Sequence, residues 1–304
     1  MIEAISKNFF LAVSQSKPLN KAARKWGLRF GAAQVVAGDT VSSAINKVKE
    51  LNNKGLCCTL DHLGEFVFSK EEATAATNYC IQTLHAIAEA KVESNLSVKM
   101  TQLGLDIDYD FCLNNMRRIV STAKQYNNFV RIDMEDSART QVTLDLLAEL
   151  RKDYDNVGTV IQAYLYRSEQ DVKDLKGIPL RLVKGAYKEP QQVAFQDKQA
   201  VDENYLTLIK THLLNGTYTA IASHDHNIIQ QVKEFVKKEN IPNSQFEFQM
   251  LYGFRNELQQ TLVQEGYKVR VYVPFGDDWF GYFMRRLAER PQNVAFAFKG
   301  FFGA

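Results

Sequence analysis

Charged and hydrogen-bonding side chains recur at the ends of short apolar runs along this chain. They are Asp61, His62, Glu65, Lys99, Arg131, Asp133, Gln162, Tyr164, Arg181, Lys184, Tyr187, Ser223, His224, Asp225, His226, Gln249, Arg270 and Tyr272. A single residue of this kind commonly faces solvent, but so many would cost several kcal/mol each if they were buried without partners. A ligand that carries both charge and polar edges would supply those partners. Because lysine and arginine are prominent, the set predicts a ligand that is partly anionic.

A second group of polar side chains lies near the C-terminus, on a helix predicted from about residue 277 to residue 290. One face of this helix is apolar and carries Trp279, Phe280, Phe283 and Leu287. The opposite side carries Tyr282, Arg285, Arg286 and Glu289. This side is either a solvated face with an Arg285–Glu289 pair worth about a few tenths of a kcal/mol, or a carboxylate clamp, because guanidinium groups bind carboxylates bidentately.

The elements that must position these side chains alternate along the sequence. Eight short apolar or β-branched runs predict strands, at residues 56–60, 96–100, 129–134, 159–164, 180–185, 218–223, 246–251 and 269–273. Amphipathic segments between them predict helices, for example at residues 168–175, where Ser168 and Asp171 fit an N-terminal capping pair. Such alternation indicates a parallel sheet, and eight repeats are the number in a (βα)8 barrel, an α/β fold. An open doubly wound sheet is the alternative, but the chain has no GxGxxG turn.

The predicted domain organisation is one barrel with an addition at each end. Residues 1–50 carry helical periodicity and form an N-terminal helical extension. Residues 51–293 form the barrel, and residues 294–304 form an apolar C-terminal tail.

Composition excludes several classes of protein. The 304 residues include 37 basic and 35 acidic side chains, and a net charge of +2 gives no indication of a nucleic-acid partner. The four cysteines have no CxxC spacing, which is typical of reduced structural thiols in a cytosolic protein. The apolar stretch at the N-terminus is too short and too interrupted for a signal peptide, and no apolar run reaches the roughly 18 residues of a membrane span.

Several segments stand in the order and spacing of a known family. They are TLDHLGE (59–65), SVKMTQLG (97–104), RIDMEDS (131–137), VIQAYLYRS (160–168), RLVKGAYKEP (181–190), ASHD (222–225), FEFQMLYGFR (246–255), VRVYVPFGDDW (269–279) and GYFMRRLAERPQN (281–293). Over roughly residues 30–293 the chain resembles proline dehydrogenase, and RLVKGAY together with the Tyr-x-x-Arg-Arg-Leu helix is quite specific. The length resembles the monofunctional bacterial form, because it leaves no room for the aldehyde dehydrogenase domain of the bifunctional enzymes.

The resemblance implies a distorted (βα)8 barrel whose last helix covers the mouth, with FAD bound non-covalently at the C-terminal face. It implies oxidation of L-proline to Δ1-pyrroline-5-carboxylate, the first step of proline catabolism, with hydride passing from proline C5 to flavin N5. The electrons would pass to a membrane quinone, and a separate pyrroline-5-carboxylate dehydrogenase would act downstream. The implied location is the cytoplasm, with peripheral contact at the inner face of the cell membrane. The apolar tail would pack on the barrel or face the quinone and lipid.

The matched motifs also imply roles for individual residues. Asp133 and Arg181 match the catalytic residues: Arg181 would stabilise negative charge on the reduced isoalloxazine, and Asp133 would orient either Lys99 or the substrate amine. The positions that match substrate contacts are Lys99, Leu251, Tyr272, Tyr282, Arg285 and Arg286. Among these, the two arginines would hold the proline carboxylate, and the tyrosine at position 272 favours proline over hydroxyproline.

A further set of positions matches contacts to the cofactor. They are Met134, Gln162, Lys184, Gly185, Ala186, Ser223 and His224. Lys184 suits the pyrophosphate, and the glycine after it would let the backbone approach the ligand closely. Asp225, in His224–Asp225–His226 where the family usually has Thr-His-Asn, would repel a pyrophosphate, so we expect it to point away or to bond the ribose. Glu65 and Glu289 are assigned to a gate, in which Glu65 pairs with an arginine of the last helix.

Three other functions are compatible with the residue types alone. His62, His224, His226 and Asp133 are acceptable ligands for a metal-dependent barrel hydrolase, although the resemblance implies no metal. Lys99 or Lys184 could form the Schiff base of an aldolase. A binding module without catalysis is the third alternative.

Overall fold

Strands and helices alternate around a closed sheet in the computed structural model, which describes residues 32–64 and 67–289, with side chains up to residue 284. The strands are β1 Cys57–His62, β2 Ser94–Lys99, β3 Val130–Asp133, β4 Val157–Gln162, β5 Leu180–Val183, β6 Thr219–Ala222, β7 Phe246–Leu251 and β8 Val269–Phe275. Each strand pairs in parallel with the next, and β1 also pairs with β8, so the eight strands form a barrel in chain order. The predicted α/β barrel is confirmed.

Helices surround the barrel and bury its outer face. In the described part of the chain they are α1 Val41–Asn52, α2 Lys70–Ala90, α3 Tyr109–Gln125, α4 Ser137–Arg151, α5 Ser168–Asp174, α6 Lys198–Leu214, α7 His226–Lys238, α8 Asn256–Gln264 and α9 Trp279–Glu289. Three short 3-10 helices lie at Ala32–Gln34, Thr101–Leu103 and Asn243–Gln245. Helix α1 agrees with the helical periodicity before residue 50, but residues 1–31 and 290–304 lie outside the described residues. The predicted domain boundaries and the role of the tail therefore stay predictions.

Some strand ends differ from the sequence prediction. Strand β1 continues through Asp61 and His62, because it pairs with β8 over its whole length, from Cys57 to His62. Strand β4 begins and ends two residues earlier than predicted, because the Leu165 N–H closes a turn onto the Gln162 carbonyl at 3.2 Å. Strand β5 ends at Val183, so Lys184 lies in the loop above the mouth rather than in the strand.

Helix α5 begins in a different way from the predicted capping pair. Arg167 occupies the N-cap position without a side-chain cap bond, and Ser168 is already helical. The Ser168 hydroxyl is buried and accepts a hydrogen bond from Asn204 Nδ2 at 3.0 Å, whereas Asp171 pairs with Arg167 Nε at 2.9 Å. The prediction was wrong because Ser168 turns toward the neighbouring helix α6 instead of its own helix terminus.

The inside of the barrel is polar, whereas barrel interiors are usually filled with branched aliphatic side chains. Arg181 on β5 reaches Ser97 on β2 and Gln249 on β7, and none of these strands are neighbours. Contacts between strands that are not adjacent can only cross the interior. The buried side chains of this kind therefore lie along the barrel axis, and the apolar core lies between the strands and the helices.

Candidate active site

Four side chains from β1, β2, β3 and β8 form one hydrogen-bonded cluster at the C-terminal mouth. The Lys99 ammonium donates to both carboxylate oxygens of Asp61, each at 3.0 Å, and to the Tyr272 hydroxyl oxygen at 3.2 Å. The Tyr272 hydroxyl donates to Asp133 Oδ2 at 2.7 Å, and Lys99 Nζ lies 3.6 Å from the same oxygen. Asp61, Lys99 and Asp133 are each less than one-tenth exposed. The cluster therefore joins two carboxylates through one cation and one phenol.

Arg181 forms the floor beneath this cluster. Its Nη1 donates to Asp133 Oδ1 at 2.6 Å, its Nε to Gln249 Oε1 at 2.6 Å, and its Nη2 to the Ser97 hydroxyl at 3.0 Å. The guanidinium carbon also lies 5.3 Å from the centre of the Tyr272 ring. Each guanidinium nitrogen thus has its own acceptor, so the group is held in one orientation. The two residues predicted to be catalytic, Asp133 and Arg181, are in direct contact.

Burial raises the pKa of two members of the cluster, Asp61 and Tyr272. Burial raises the pKa of Asp61, the Lys99 charge opposes that rise, and the nearby Asp133 adds to it. Burial and the charges of Asp133 and Asp61 raise the pKa of Tyr272 well above its ordinary value. Tyr272 therefore keeps its proton at physiological pH and acts as a donor to Asp133.

Lys99 has a closer anionic partner than the one considered from the sequence. Its ammonium contacts Asp61 at 3.0 Å and Asp133 at 3.6 Å. Asp61 thus orients Lys99, while Asp133 is held between Arg181 and Tyr272. Of the two roles left open for Asp133, orienting Lys99 belongs mainly to Asp61.

The predicted cofactor residues lie on four consecutive strands, β3 to β6, at the same end of the barrel. Met134 follows β3, Gln162 ends β4, the segment 184–186 follows β5, and the pair 223–224 follows β6. Met134, Gln162 and Ser223 are buried, Lys184 is half-buried and Ala186 is exposed. The predicted substrate residues of the cluster come instead from β2 and β8. One arc of the mouth therefore holds the cofactor candidates, and the adjoining arc holds the candidates for proline.

Lys184 is paired with two carboxylates. Its ammonium bonds Asp202 Oδ1 at 2.5 Å and Asp225 Oδ2 at 3.1 Å. Asp225 also caps α7 by accepting from the Asn227 N–H at 3.0 Å. A helix cap and an ammonium both draw the Asp225 carboxylate to this position, beside the lysine predicted to bind the pyrophosphate. That Asp225 points away from a pyrophosphate or bonds the ribose stays a prediction.

Gly185 is required by the fold itself. Its φ is +115°, a backbone conformation that other residues rarely adopt, and a Cβ there would lie 2.4 Å from the Tyr164 ring. The hydroxyl of that ring donates to Gln162 Oε1 at 3.3 Å. The glycine thus lets the loop after β5 pack on Tyr164, a reason that differs from the predicted close approach to a ligand.

His224 and Leu251 are joined directly. The Leu251 N–H donates to His224 Nε2 at 3.0 Å, and the imidazole ring lies 5.8 Å from the Phe254 ring. Because Nε2 accepts a hydrogen bond here, the imidazole is neutral and carries its proton on Nδ1. His224, a predicted cofactor residue after β6, is therefore in direct contact with Leu251, a predicted substrate residue at the end of β7.

Helix α9 begins four residues after β8 ends. Trp279, Tyr282, Phe283 and Met284 are buried in one cluster with Ala32, Val36 and Leu63, while Phe280 is only partly buried. Tyr282 therefore belongs to the packed face rather than to the polar side predicted for it. The side chains of Arg285, Arg286 and Glu289 lie outside the described residues, as does Glu65, so the clamp and the gate stay predictions.

The structure brings three residues to the site to which the sequence analysis assigned no role. The sequence places Asp61 and Gln249 among the polar residues at strand ends, and Ser97 is hydrogen-bonded to both Arg181 and Thr59. A signal for Ser97 exists, because polar residues alternate along β2 at positions 95, 97 and 99. Because alternate residues of a strand face the same side of the sheet, this pattern predicts that the three side chains point into the barrel.

The residues of the metal-site alternative do not come together. His62 stacks on Tyr79 with ring centres 4.0 Å apart, burial lowers its pKa to about 4, and its Nδ1 contacts Gln102 at 3.2 Å. His224 is bonded to Leu251, as described above, and Asp133 to Arg181. Among residues 32–64 and 67–289, no group of three His, Cys, Asp or Glu side chains is placed to hold a metal ion. Within the same ranges, no helix has the length and apolar character needed to cross a bilayer.

Comparison with known proteins gives a consistent result. The family model for proline dehydrogenase matches residues 44–298. "Proline dehydrogenase 2" of Bacillus subtilis (strain 168) is 54% identical over 298 residues, which cover 97% of this chain and 98% of that protein. The proline dehydrogenase of Deinococcus radiodurans is 42% identical over 309 residues, which cover 99% of each chain.

A solved structure shows the same architecture. It is proline utilization A (PutA) from Bdellovibrio bacteriovorus inactivated by N-propargylglycine, with a TM-score of 0.80 and 29% sequence identity. The match covers 89% of this chain but 34% of that longer chain. The similarity thus extends over one part of a larger protein.

Proposed function

Because this chain belongs to the proline dehydrogenase family and is an oxidoreductase that acts on proline, we propose that it oxidises L-proline to Δ1-pyrroline-5-carboxylate with non-covalently bound FAD. We further propose that the electrons pass to a membrane quinone and that a separate pyrroline-5-carboxylate dehydrogenase consumes the product. The observation that carries the proposal is the buried contact among Arg181, Asp133, Tyr272 and Lys99 at the mouth of the barrel.

The residues at β3 to β6 suit FAD in their chemistry. Lys184 offers a cation for the pyrophosphate, Gln162 an amide for a ring edge, and Ser223 a hydroxyl. The pair of carboxylates on Lys184 opposes an anion, and a pyrophosphate would compete with them for the ammonium. When bound, FAD would supply the acceptor for a hydride from proline C5, at flavin N5, and deliver two electrons to the quinone.

Proline would bind next to this arc, above Arg181. Tyr272 presents its ring to one side of the space, and its hydroxyl is fixed by Asp133 and Lys99. Leu251, at the end of β7, would contribute an aliphatic contact, and Tyr282 an aromatic one. Arg285 and Arg286, on the helix that follows β8, would hold the proline carboxylate, because paired guanidinium groups match a carboxylate bidentately.

The fixed orientation of Arg181 suits the charge that develops during the reaction. Each nitrogen of its guanidinium has an acceptor in the protein, so the group would stabilise negative charge without reorganising. Asp133 has one oxygen bonded to Arg181 and the other to Tyr272, which fixes the position of its carboxyl group beside the proposed proline site. We assign it to orient the proline amine, and we assign Glu65 and Glu289 to the gate that closes over bound proline.

The proposed location follows from the proposed acceptor. A quinone resides in the membrane, so the enzyme would work in the cytoplasm and contact the inner face of the cell membrane peripherally. Flotation with lipid vesicles that contain quinone, with and without proline, measures this contact. Protein that never moves with the vesicles would contradict it.

The central test is the visible spectrum of the purified protein. We expect oxidised flavin absorption that bleaches when L-proline is added anaerobically and returns when a soluble quinone is added. A protein that remains colourless and inactive after addition of FAD would overturn the proposal, and bleaching by other amino acids but not by proline would overturn the substrate assignment.

The carboxylate clamp has a separate test. Arg285→Met or Arg286→Met should raise the KM for proline at least about tenfold while the flavin stays bound, because a charged hydrogen bond is worth about 1.5–3 kcal/mol. Arg118→Met serves as the control, since Arg118 bonds Asn78 at 2.6 Å on the outside of the barrel. An unchanged KM in both clamp variants would contradict the assignment.

A further inference from the structure

The two hydrogen-bond partners of the Gln249 amide fix its orientation. Its oxygen accepts from Arg181 Nε at 2.6 Å, and its nitrogen donates to Glu247 Oε1 at 2.6 Å. A guanidinium has only donors and an ionised carboxylate has only acceptors, so the amide cannot be reversed. Gln249 is 3% exposed. It therefore forms a directional link between Arg181 and the lower part of the barrel.

The lower end of that link is firmly held. Glu247 is buried and accepts from Arg270 Nε at 2.7 Å and from the Tyr218 hydroxyl at 2.7 Å. Burial by itself would raise the pKa of Glu247, but the Arg270 charge and the hydrogen bonds outweigh it and lower the pKa to about 2. Glu247 therefore stays ionised at physiological pH and remains an acceptor for the Gln249 amide.

The other end of the link accepts the hydrogen bond from Arg181 Nε. Asp133 and Ser97 hold the two terminal nitrogens of the guanidinium, and Gln249 holds Nε. If the Gln249 oxygen were lost, Nε would be left buried without this acceptor, which favours a rotated or displaced guanidinium. The contact to Asp133 at 2.6 Å would change with it.

We propose that Gln249 is a positioning residue for the oxidation of proline: with Glu247 and Arg270 beneath it, it fixes the guanidinium of Arg181 in the orientation that the reaction needs. The inference rests on the proposed function of Arg181. Gln249 would act through its contact to Arg181 and not on the substrate directly. Its effect is therefore on the rate of the chemical step and not on the affinity for proline.

The test is a double-mutant cycle between Gln249 and Arg181 in the full-length, flavin-loaded protein. Gln249→Met removes both hydrogen bonds at similar volume, and we expect kcat for proline to fall about 100-fold, because small misplacement of a catalytic group has effects of that order. The KM for proline should change less than about threefold, since ground-state binding is kept. Arg181→Lys already lacks the Nε contact, so adding Gln249→Met to it should lower kcat less than about threefold further.

Gln245→Met is the matched control. Gln245 lies just before β7 and donates to the Leu213 carbonyl at 2.6 Å, away from Arg181, so its kcat should equal that of the wild type. If Gln249→Met yields no folded protein, Gln249→Asn replaces it in the cycle, because it keeps the amide but withdraws it by one methylene.

Each outcome decides between the two proposals. Wild-type kcat in the Gln249 variant, a raised KM at unchanged kcat, or a loss that adds in full to that of Arg181→Lys would overturn the inference. Full activity of Arg181→Lys would overturn the proposed function of Arg181, and a loss in Gln249→Met beside it would show that Gln249 does not act through Arg181. Absence of proline oxidation in the wild type counts against the proposed function alone.

Discussion

Removal of the Lys99 charge should destabilise the protein in a way that depends on pH. The ammonium lies 3.0 Å from both Asp61 oxygens, and the Asp61 side chain is 1% exposed. At that distance and an effective dielectric constant of about 20, the attraction is about 5 kcal/mol. Lys99→Met leaves Asp61 buried without its cation and near Asp133, so we expect the free energy of unfolding to fall by about 3–5 kcal/mol at pH 8.

The sign of the pH dependence follows from Asp61. Burial already raises its pKa in the folded protein, and loss of Lys99 raises it further. A carboxyl whose pKa is higher in the folded than in the unfolded state binds more protons when folded, so the stability of the variant rises as the pH falls. The destabilisation by Lys99→Met should therefore be smaller at pH 5 than at pH 8. Equilibrium unfolding in urea at both pH values measures the difference.

Two further variants make this prediction refutable. Asp61→Asn combined with Lys99→Met should recover more than about half of the lost stability at pH 8, because no buried charge is left without its partner. Lys70→Met is the control, since the Lys70–Asp108 pair at 2.9 Å is largely exposed and water screens its attraction, so we expect little change in stability at either pH. Equal destabilisation at pH 5 and pH 8, with no recovery in the double variant, would refute the reasoning.

Three other variants probe separate parts of the site. Tyr272→Phe removes the donor to Asp133, and kcat/KM for proline should fall about 10- to 150-fold, since a hydrogen bond to a charged group is worth about 1.5–3 kcal/mol; unchanged steady-state kinetics would contradict this. Gly185→Ala should lower the free energy of unfolding by about 1–3 kcal/mol more than Gly177→Ala, because both have positive φ but only the first meets a ring; equal melting curves would contradict it. Asp225→Asn keeps the helix cap and removes one charge beside Lys184, which we propose binds the pyrophosphate, so the apoprotein should bind FAD about twofold to fivefold more tightly in a titration; weaker binding would show that the carboxylate assists.

The number and type of the elements could be predicted from the sequence. Eight apolar runs alternate with amphipathic segments, and every run lies on an observed strand, with ends that shift by up to two residues. Hydrophobic periodicity is a local property of the sequence, so it can be detected without knowledge of the fold. The polar residues at strand ends follow from the same pattern, because the ends of parallel strands meet at one face of a barrel. The motifs then assigned Asp133 and Arg181 to the site.

The partners of those residues could not be predicted. Asp61 binds Lys99 because β1 lies beside β2 at a register that brings Asp61 level with Ser97. Gln249 reaches Arg181 because β5 and β7, the two strands on either side of β6, both direct these side chains into the barrel interior. Such contacts depend on the register and closure of the sheet, which no local pattern encodes.

Gly185 and Ser168 show the same difference between what the sequence predicts and what the fold decides. Sequence alone determined that Gly185 is a glycine after a strand, but the φ of +115° and the ring packed against it were decided by the loop after β4. Sequence alone determined that Ser168 can cap a helix, but burial against Asn204 decided that it does not. Residue type limits which bonds a side chain can form, and the tertiary structure chooses among them because it decides which donors and acceptors lie within about 3 Å.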